Sequence, residues 1–192
     1  MIMSVPASSN GSRQQRRARI VAAALNVAGE GYEAMHVRTV ADRAGVSAST
    51  IYEYFSSKDD MLVACLHHWL TEFAGEHRLP PGADVYLGVA HQAGTVIEQL
   101  CTTPALADAL ARAYLYADGE SVTNAESVRT TLVTMFARVL QAAPDSREHA
   151  IAELMADCWA ISVLAVTQER LSLNEIRLRL ERTLTSVKLA SA

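Results

Sequence analysis

Between Val37 and Lys58 the chain reads VRTVADRAGVSASTIYEYFSSK. Ser47, Ala48, Ser49 and Thr50 are small or hydroxyl-bearing, and Tyr52, Glu53 and Tyr54 follow them. Such residues suit a surface that approaches a phosphate backbone, because small side chains permit close contact and hydroxyls donate to phosphate oxygens. Arg38, upstream, can meet a guanine edge or a phosphate, and Lys58, downstream, can clamp the backbone beyond. This chemistry binds rather than makes or breaks bonds. No Gly-rich phosphate loop, nucleophile elbow, His-Glu-x-x-His or Cys-x-x-Cys occurs, so no catalysis and no cofactor are expected. Cys65, His68 and Glu72 fall at i, i+3 and i+7, a spacing that can offer zinc three ligands from one helical face. The simpler expectation is a core thiol with the His and Glu at its edge, and no metal. The His67-His68 pair and the lone Glu148-His149 read as surface.

Presenting those side chains requires two short helices, about Arg38–Ala44 and Ser47–Phe55, joined at Gly45-Val46-Ser47. Glycine there allows the positive φ of a tight helix-to-helix turn, and Ser47 is placed to cap the second helix. Val40, Ala41, Ala44, Val46 and Ile51 are spaced to pack the pair together and against a first helix, about Arg13–Ala28. That helix turns Ile20, Ala24, Leu25 and Ala28 to one face and its arginines to the other. A helix-turn-helix lying in a DNA major groove is one reading. An ordinary αα-corner with Tyr52 and Tyr54 half-buried is the other.

Charge is divided unevenly. The 192-residue chain carries a net −4, but residues 1–58 hold seven basic and four acidic side chains, and residues 59–192 hold ten and seventeen. A basic head on an acidic body is the asymmetry expected when one end meets a polyanion. Half of the residues are hydrophobic, which excludes wholesale disorder and accords with one domain or one with a small appendage. Three cysteines without close spacing point to reduced thiols. The start has no secretory pattern, and the uncharged stretch Cys158–Gln168 is 11 residues, too short to span a bilayer. A cytoplasmic protein with no membrane partner is expected.

The remainder reads as helix throughout, with no repeat and poor strand signals. A fourth helix starts at Ser56 or Ser57 with Asp59 and Asp60 at its N-terminus and runs to about Glu76, before the break at Leu79-Pro80-Pro81-Gly82. Helices are expected near Asp84–Cys101, Pro104–Tyr116 (capped by Thr103), Thr123–Ala142, Ser146–Glu169 and Leu173–Leu189. Asp145 with Glu148 and Ser172 with Glu175 have the spacing of capping boxes opening the last two. The expected architecture is all-α, with nine helices. Residues 1–12 are expected as a disordered arm, 13–58 as the helix-turn-helix domain and 59–192 as the body, with helix 4 from about 57 as connector.

Over Arg16–Leu66 the sequence resembles the DNA-binding domain of the TetR family of bacterial repressors. The resemblance lies in the amphipathic first helix, Gly-Tyr-Glu-Ala, Ala-x-x-Ala-Gly-Val-Ser, and Thr-Ile-Tyr-x-Tyr-Phe-x-Ser-Lys before an apolar helix. It implies that Thr50, Tyr52, Tyr54 and Lys58 contact phosphates and that Arg38, Ala48, Ser49 and Glu53 face bases, with Ser47 opening the helix. His36 departs from the family's usual threonine. The resemblance also implies a C-terminal ligand-binding and dimerisation domain, and a homodimer on a partly palindromic operator in double-stranded DNA. Independently, Cys158–Val166 is apolar on every side and cannot own a solvent face. Ile161, Leu164 and Ala165, with Ile176, Leu180 and Leu184 of the last helix, are the expected dimer face; a larger intramolecular core is the alternative.

For a small apolar effector, the expected pocket residues are Trp69, Phe73, Tyr114, Met135 and Trp159, which otherwise read as core. ADALARAYLYA at 107–117, TMFAR at 134–138 and ADCW at 156–159 are similar to the actinobacterial KstR-type repressors of cholesterol and lipid catabolism. That would imply a steroid or fatty acyl-CoA thioester as effector. The alternatives are a helical lipid- or drug-binding module without operator binding, an architectural DNA-binding protein without effector, and a multidrug-responsive repressor of efflux genes.

Overall fold

The computed structural model describes residues 8–74 and 84–190. Among these it contains nine α-helices, one short 3-10 turn and no strand. The helices are α1 (Ser8–Ala28), α2 (Val37–Ala44), α3 (Ala48–Tyr52), α4 (Lys58–Ala74), α5 (Val85–Cys101), α6 (Pro104–Leu115), α7 (Val122–Leu140), α8 (Arg147–Thr167) and α9 (Leu173–Leu189). The expected loop at Leu79–Gly82 lies outside the described residues.

Local chemistry explains most boundaries. Gly45 ends α2 in the left-handed region at φ 65°, and the N–H of Val46 donates to Ala41 O at 3.0 Å. A side chain there would meet steric resistance, so glycine suits this turn. Ser47 accepts from the N–H of Thr50 at 3.1 Å, which caps α3. Ser172 and Glu175 form the reciprocal box that opens α9.

Four expectations need correction. The first helix starts at Ser8, so Ser8–Ser12 belong to α1 rather than to an arm; residues 1–7 lie outside the described residues. Once a helix is nucleated, each added residue costs little, which lets a polar segment join it. Asp145 does not cap α8: it sits at φ 60°, while Ser146, in extended conformation, accepts from the N–H of His149 at 3.1 Å. A cap residue needs that extended backbone. Thr103 precedes Pro104 but makes no capping hydrogen bond through its side chain. Finally, α3 stops at Tyr52 rather than Phe55, because the chain turns to drive the Phe55 ring into the core.

Two packed regions share α4. In the head, Ile20, Ala24 and Val27 of α1 are buried with Val40, Ala41, Ile51 and Phe55. In the body, α8 packs on α7, α6 and α5, and α9 lies mainly on α5. Helix α4 contacts α1 on one side and α6 and α7 on the other, so it belongs to both cores. By length and composition alone α8 could cross a membrane; here 39% of its apolar stretch is buried, and it packs on α5, α6 and α7.

Candidate DNA interface and interior of the body

The exposed edge of the head is built around Ser47. Its Oγ lies 2.8 Å from Ser49 Oγ and 2.9 Å from Thr50 Oγ1, besides capping the helix. These contacts hold three hydroxyls at the start of α3 in fixed relative positions. Arg38, Ser47, Ser49 and Glu53 are exposed, Ala48 and Thr50 are half-buried, and Tyr52 is 59% exposed. Tyr52 is therefore no core residue, whereas Tyr54 is half-buried against the head.

Three cations of the head each rest on an aromatic ring. The Arg13 guanidinium lies 5.5 Å from the Tyr54 ring centre, and that of Arg17 lies 5.2 Å from the Phe55 ring centre. Lys58 Nζ sits 3.5 Å from the centre of the Tyr32 ring. Such contacts restrain long cationic side chains without neutralising them, so their charge stays available to a polyanion. Arg13, Gln14, Arg17, Glu53 and Tyr54 line a shallow groove of about 240 Å³ beside the end of α3. Sequence reasoning missed these ring contacts; the signal available was Tyr54-Phe55 facing the arginine-rich side of the first helix. His36 precedes α2 in extended conformation and makes no capping bond through its side chain.

The Tyr32 hydroxyl donates to Asp59 Oδ1 at 2.8 Å. Burial, then the Asp59 hydrogen bond and charge, push the Tyr32 phenol up to about 12. Cys65, His68 and Glu72 do not assemble a metal site: the Cys65 thiol is buried and donates to Val21 O at 3.7 Å, while His68 pairs with Glu72 at 3.4 Å. No group of three metal-ligating side chains occurs among the described residues.

In the body, the five residues expected around an effector lie on α4, α6, α7 and α8. Trp69 and Phe73 stack on α4 with ring centres 5.5 Å apart. Met135 and Trp159 are buried, and Tyr114 is half-buried at the end of α6. An apolar groove of about 240 Å³ opens between α8 and α9, with Ala93 and Ile97 of α5 among its walls. Trp159, Leu154, Met155, Leu180 and Leu184 border it, but Trp69, Phe73, Tyr114 and Met135 do not. Trp159 Nε1 has no hydrogen-bond partner and is inaccessible, so it faces packed side chains rather than the open groove.

The expected dimer face also divides. Ala165, Ile176 and Leu184 are buried within the single chain, the latter two on the α9 face packed on α5. Leu164 and Leu180 are half-buried, and Ile161 is 56% exposed. Leu154, at 64%, and Leu178 add exposed apolar surface that the sequence reading did not name.

Residues 20–65 match the family of bacterial regulatory proteins called tetR, and residues 82–187 match the tetracyclin repressor-like C-terminal domain. The chain is 30% identical over 174 residues to the HTH-type transcriptional repressor KstR of Mycobacterium tuberculosis, covering 88% of this chain and 79% of that protein. A TetR transcriptional regulator from Rhodococcus sp. RHA1 superposes with a TM-score of 0.79 at 22% identity, over 93% of this chain and 98% of that one. Thermus thermophilus FadR, a TetR-family repressor solved with lauroyl-CoA, gives 0.71 at 21% identity, over 88% of this chain and 93% of that one. With both its halves matched and a head that presents a capped, hydroxyl-bearing helix together with ring-restrained cations, the chain belongs to the TetR family of bacterial transcriptional regulators.

Proposed function

We propose that this protein is a homodimeric, cytoplasmic repressor that binds a partly palindromic operator and leaves it when a small apolar effector enters its body. The observation that carries this reading is the arrangement at α3. Ser47 orders the hydroxyls at the helix start, Tyr52 is exposed, and Arg13 and Lys58 of the same head are each held on an aromatic ring. Arg38, Ala48, Ser49 and Glu53 would face bases, while Thr50, Tyr52, Tyr54 and Lys58 would hold phosphates.

Dimerisation through α8 and α9 is supported by Leu154, Ile161 and Leu178, which expose apolar surface on the outer side of the two helices. Ile176 and Leu184 would support that face from beneath. A steroid or fatty acyl-CoA thioester is the effector class that the resemblance to KstR-type repressors implies, and the lauroyl-CoA held in the T. thermophilus neighbour supports the thioester. Trp159, on the wall of the α8–α9 groove, is the aromatic best placed to feel such a ligand.

A mobility shift on the DNA upstream of the protein's own gene, titrated with steroid and long-chain acyl-CoA thioesters, tests both halves. Specific binding released by one thioester supports the whole reading. Binding that no thioester disturbs removes the effector class. Parent protein that behaves like Tyr52→Ala/Lys58→Ala, with no specific complex at low salt, leaves only a helical ligand-binding module.

A further inference from the structure

Asp60 lies in the first turn of α4 and is only 5% exposed. A carboxylate so placed is costly unless donors saturate it. Its two oxygens serve different parts of the molecule. Oδ2 accepts from the Ser56 N–H at 2.9 Å and from Ser56 Oγ at 3.2 Å, which holds the loop that follows the reading helix. Oδ1 accepts from Asn124 Nδ2 at 2.5 Å, across 64 positions of sequence. The N–H of Asp60 itself donates to Ser57 Oγ at 3.0 Å, completing the helix cap.

Capping α4 requires only the local contacts. The bond to Asn124 is an additional one, and it reaches into the first turn of α7. That turn is braced from before: Ser121 is buried, and its Oγ accepts from the N–H of Asp118 at 2.8 Å. The neighbours of Asn124 in sequence, Val122 and Ala125, line a surface hollow of about 280 Å³ that α6 and α8 also border through Tyr114 and Asp157. A displacement of α7 at this point is therefore delivered to a carboxylate that also holds Ser56, one residue from the buried anchor Phe55.

We infer that Asp60 is a positioning residue that couples the orientation of the DNA-reading head to the first turn of α7, with Asn124 as its partner in the body. The inference rests on the operator-binding reading for its consequence, but not for its physical test. A dimer must set two heads on successive groove faces roughly 34 Å apart, so a small rotation of each head is felt as lost affinity. Loosening the head affects all operator sequences alike and leaves the salt dependence unchanged, because neither base contacts nor phosphate contacts are removed.

The test uses the full chain with Asn124→Ala, Asn124→Asp and the exchange Asp60→Asn/Asn124→Asp. In the exchange, the amide oxygen at 60 still accepts from Ser56 and its NH2 donates to the new carboxylate. Operator affinity should fall about tenfold in each single variant and return to near the parent value in the exchange. Amide hydrogen exchange over residues 48–56, without DNA, should quicken in Asn124→Ala and recover in the exchange variant. The proposal is overturned by unchanged amide exchange over 48–56 in Asn124→Ala, or by a double variant that regains melting temperature without regaining slow amide exchange. A Phe136→Leu variant of equal destabilisation that loosens residues 48–56 as much also overturns it. If the parent fails to bind DNA, the operator reading fails while amide exchange still decides the coupling.

Discussion

Lys58 Nζ lies over the Tyr32 ring, 3.5 Å from its centre, while the hydroxyl of that ring donates to Asp59, the next residue along. One phenol thus holds a cation by its face and an anion by its edge. It aligns the first turn of α4 with the loop after α1, and it aims the lysine that would close on the DNA backbone. Tyr32→Phe should keep the lysine in place and cost about 1 kcal/mol of stability through the lost hydrogen bond. Tyr32→Ala should cost more and also weaken DNA binding. Urea denaturation and anisotropy titrations on the two variants separate these effects.

The same phenol makes a prediction about alkali. Its folded pKa, about 12, stands above the unfolded value of 10.0, so its contribution is complete below pH 10 and is lost as pH rises towards 12. A phenolate absorbance titration should therefore show Tyr32 ionising late, alongside Tyr114, which burial also raises, and Tyr32→Phe should shrink that late step by one phenol.

Ser47 combines a cap with an orienting role. Ser47→Ala should lower stability by about 1 kcal/mol, the usual worth of an N-cap side chain. It should also reduce operator affinity by more than the stability loss explains, because Ser49 and Thr50 lose the hydroxyl that places them. Ser47→Thr should restore the cap. Circular dichroism melts beside anisotropy titrations check the pair.

The thiols should differ in reactivity. Cys65 is buried and burial pushes its thiol up to about 12, while Cys101 is half-buried and raised to about 11. Cys158 is exposed and borders the apolar groove between α8 and α9. At neutral pH a maleimide should label Cys158 first and leave Cys65 untouched until unfolding. If α8 and α9 form the dimer face, labelling of Cys158 should slow as protein concentration rises; mass spectrometry across a dilution series reads this directly.

Acid should weaken surface contacts at the starts of α5, α8 and α9. The Asp84 carboxyl is held below its usual range first by the Lys188 hydrogen bond, that of Glu148 by a backbone N–H and then the Tyr86 hydroxyl, and that of Glu175 by the Ser172 backbone. Each folded pKa lies below its unfolded value. Their contribution is thus present above about pH 4 and is lost as pH falls through the folded values. Lys188→Met should move the Asp84 titration midpoint upward in an NMR pH series, with little change in melting temperature, because the pair is exposed.

The helical pattern, the turn at Gly45 and the Ser47 and Ser172 caps were legible in the chain because each depends on residues within a few positions. So were the exposed hydroxyls of α3, whose neighbours Ile51 and Phe55 carry the apolar spacing. Asp145 was misread as a cap because capping-box spacing is a weak constraint, and a one-residue change of backbone region moves the cap to Ser146.

What the sequence alone determined is the all-helical architecture, the basic head and the reading helix, since periodicity, charge and local capping are short-range properties. Tertiary structure decided the rest. It rested Arg13, Arg17 and Lys58 on rings distant in sequence, and it kept Trp69, Phe73, Tyr114 and Met135 off the walls of the α8–α9 groove. It buried Ile176 and Leu184 within the chain, and joined Asp60 to Asn124. An apolar stripe states only that a face must be covered. Which face covers it, and which donor reaches a buried carboxylate, follows from how the helices cross in space.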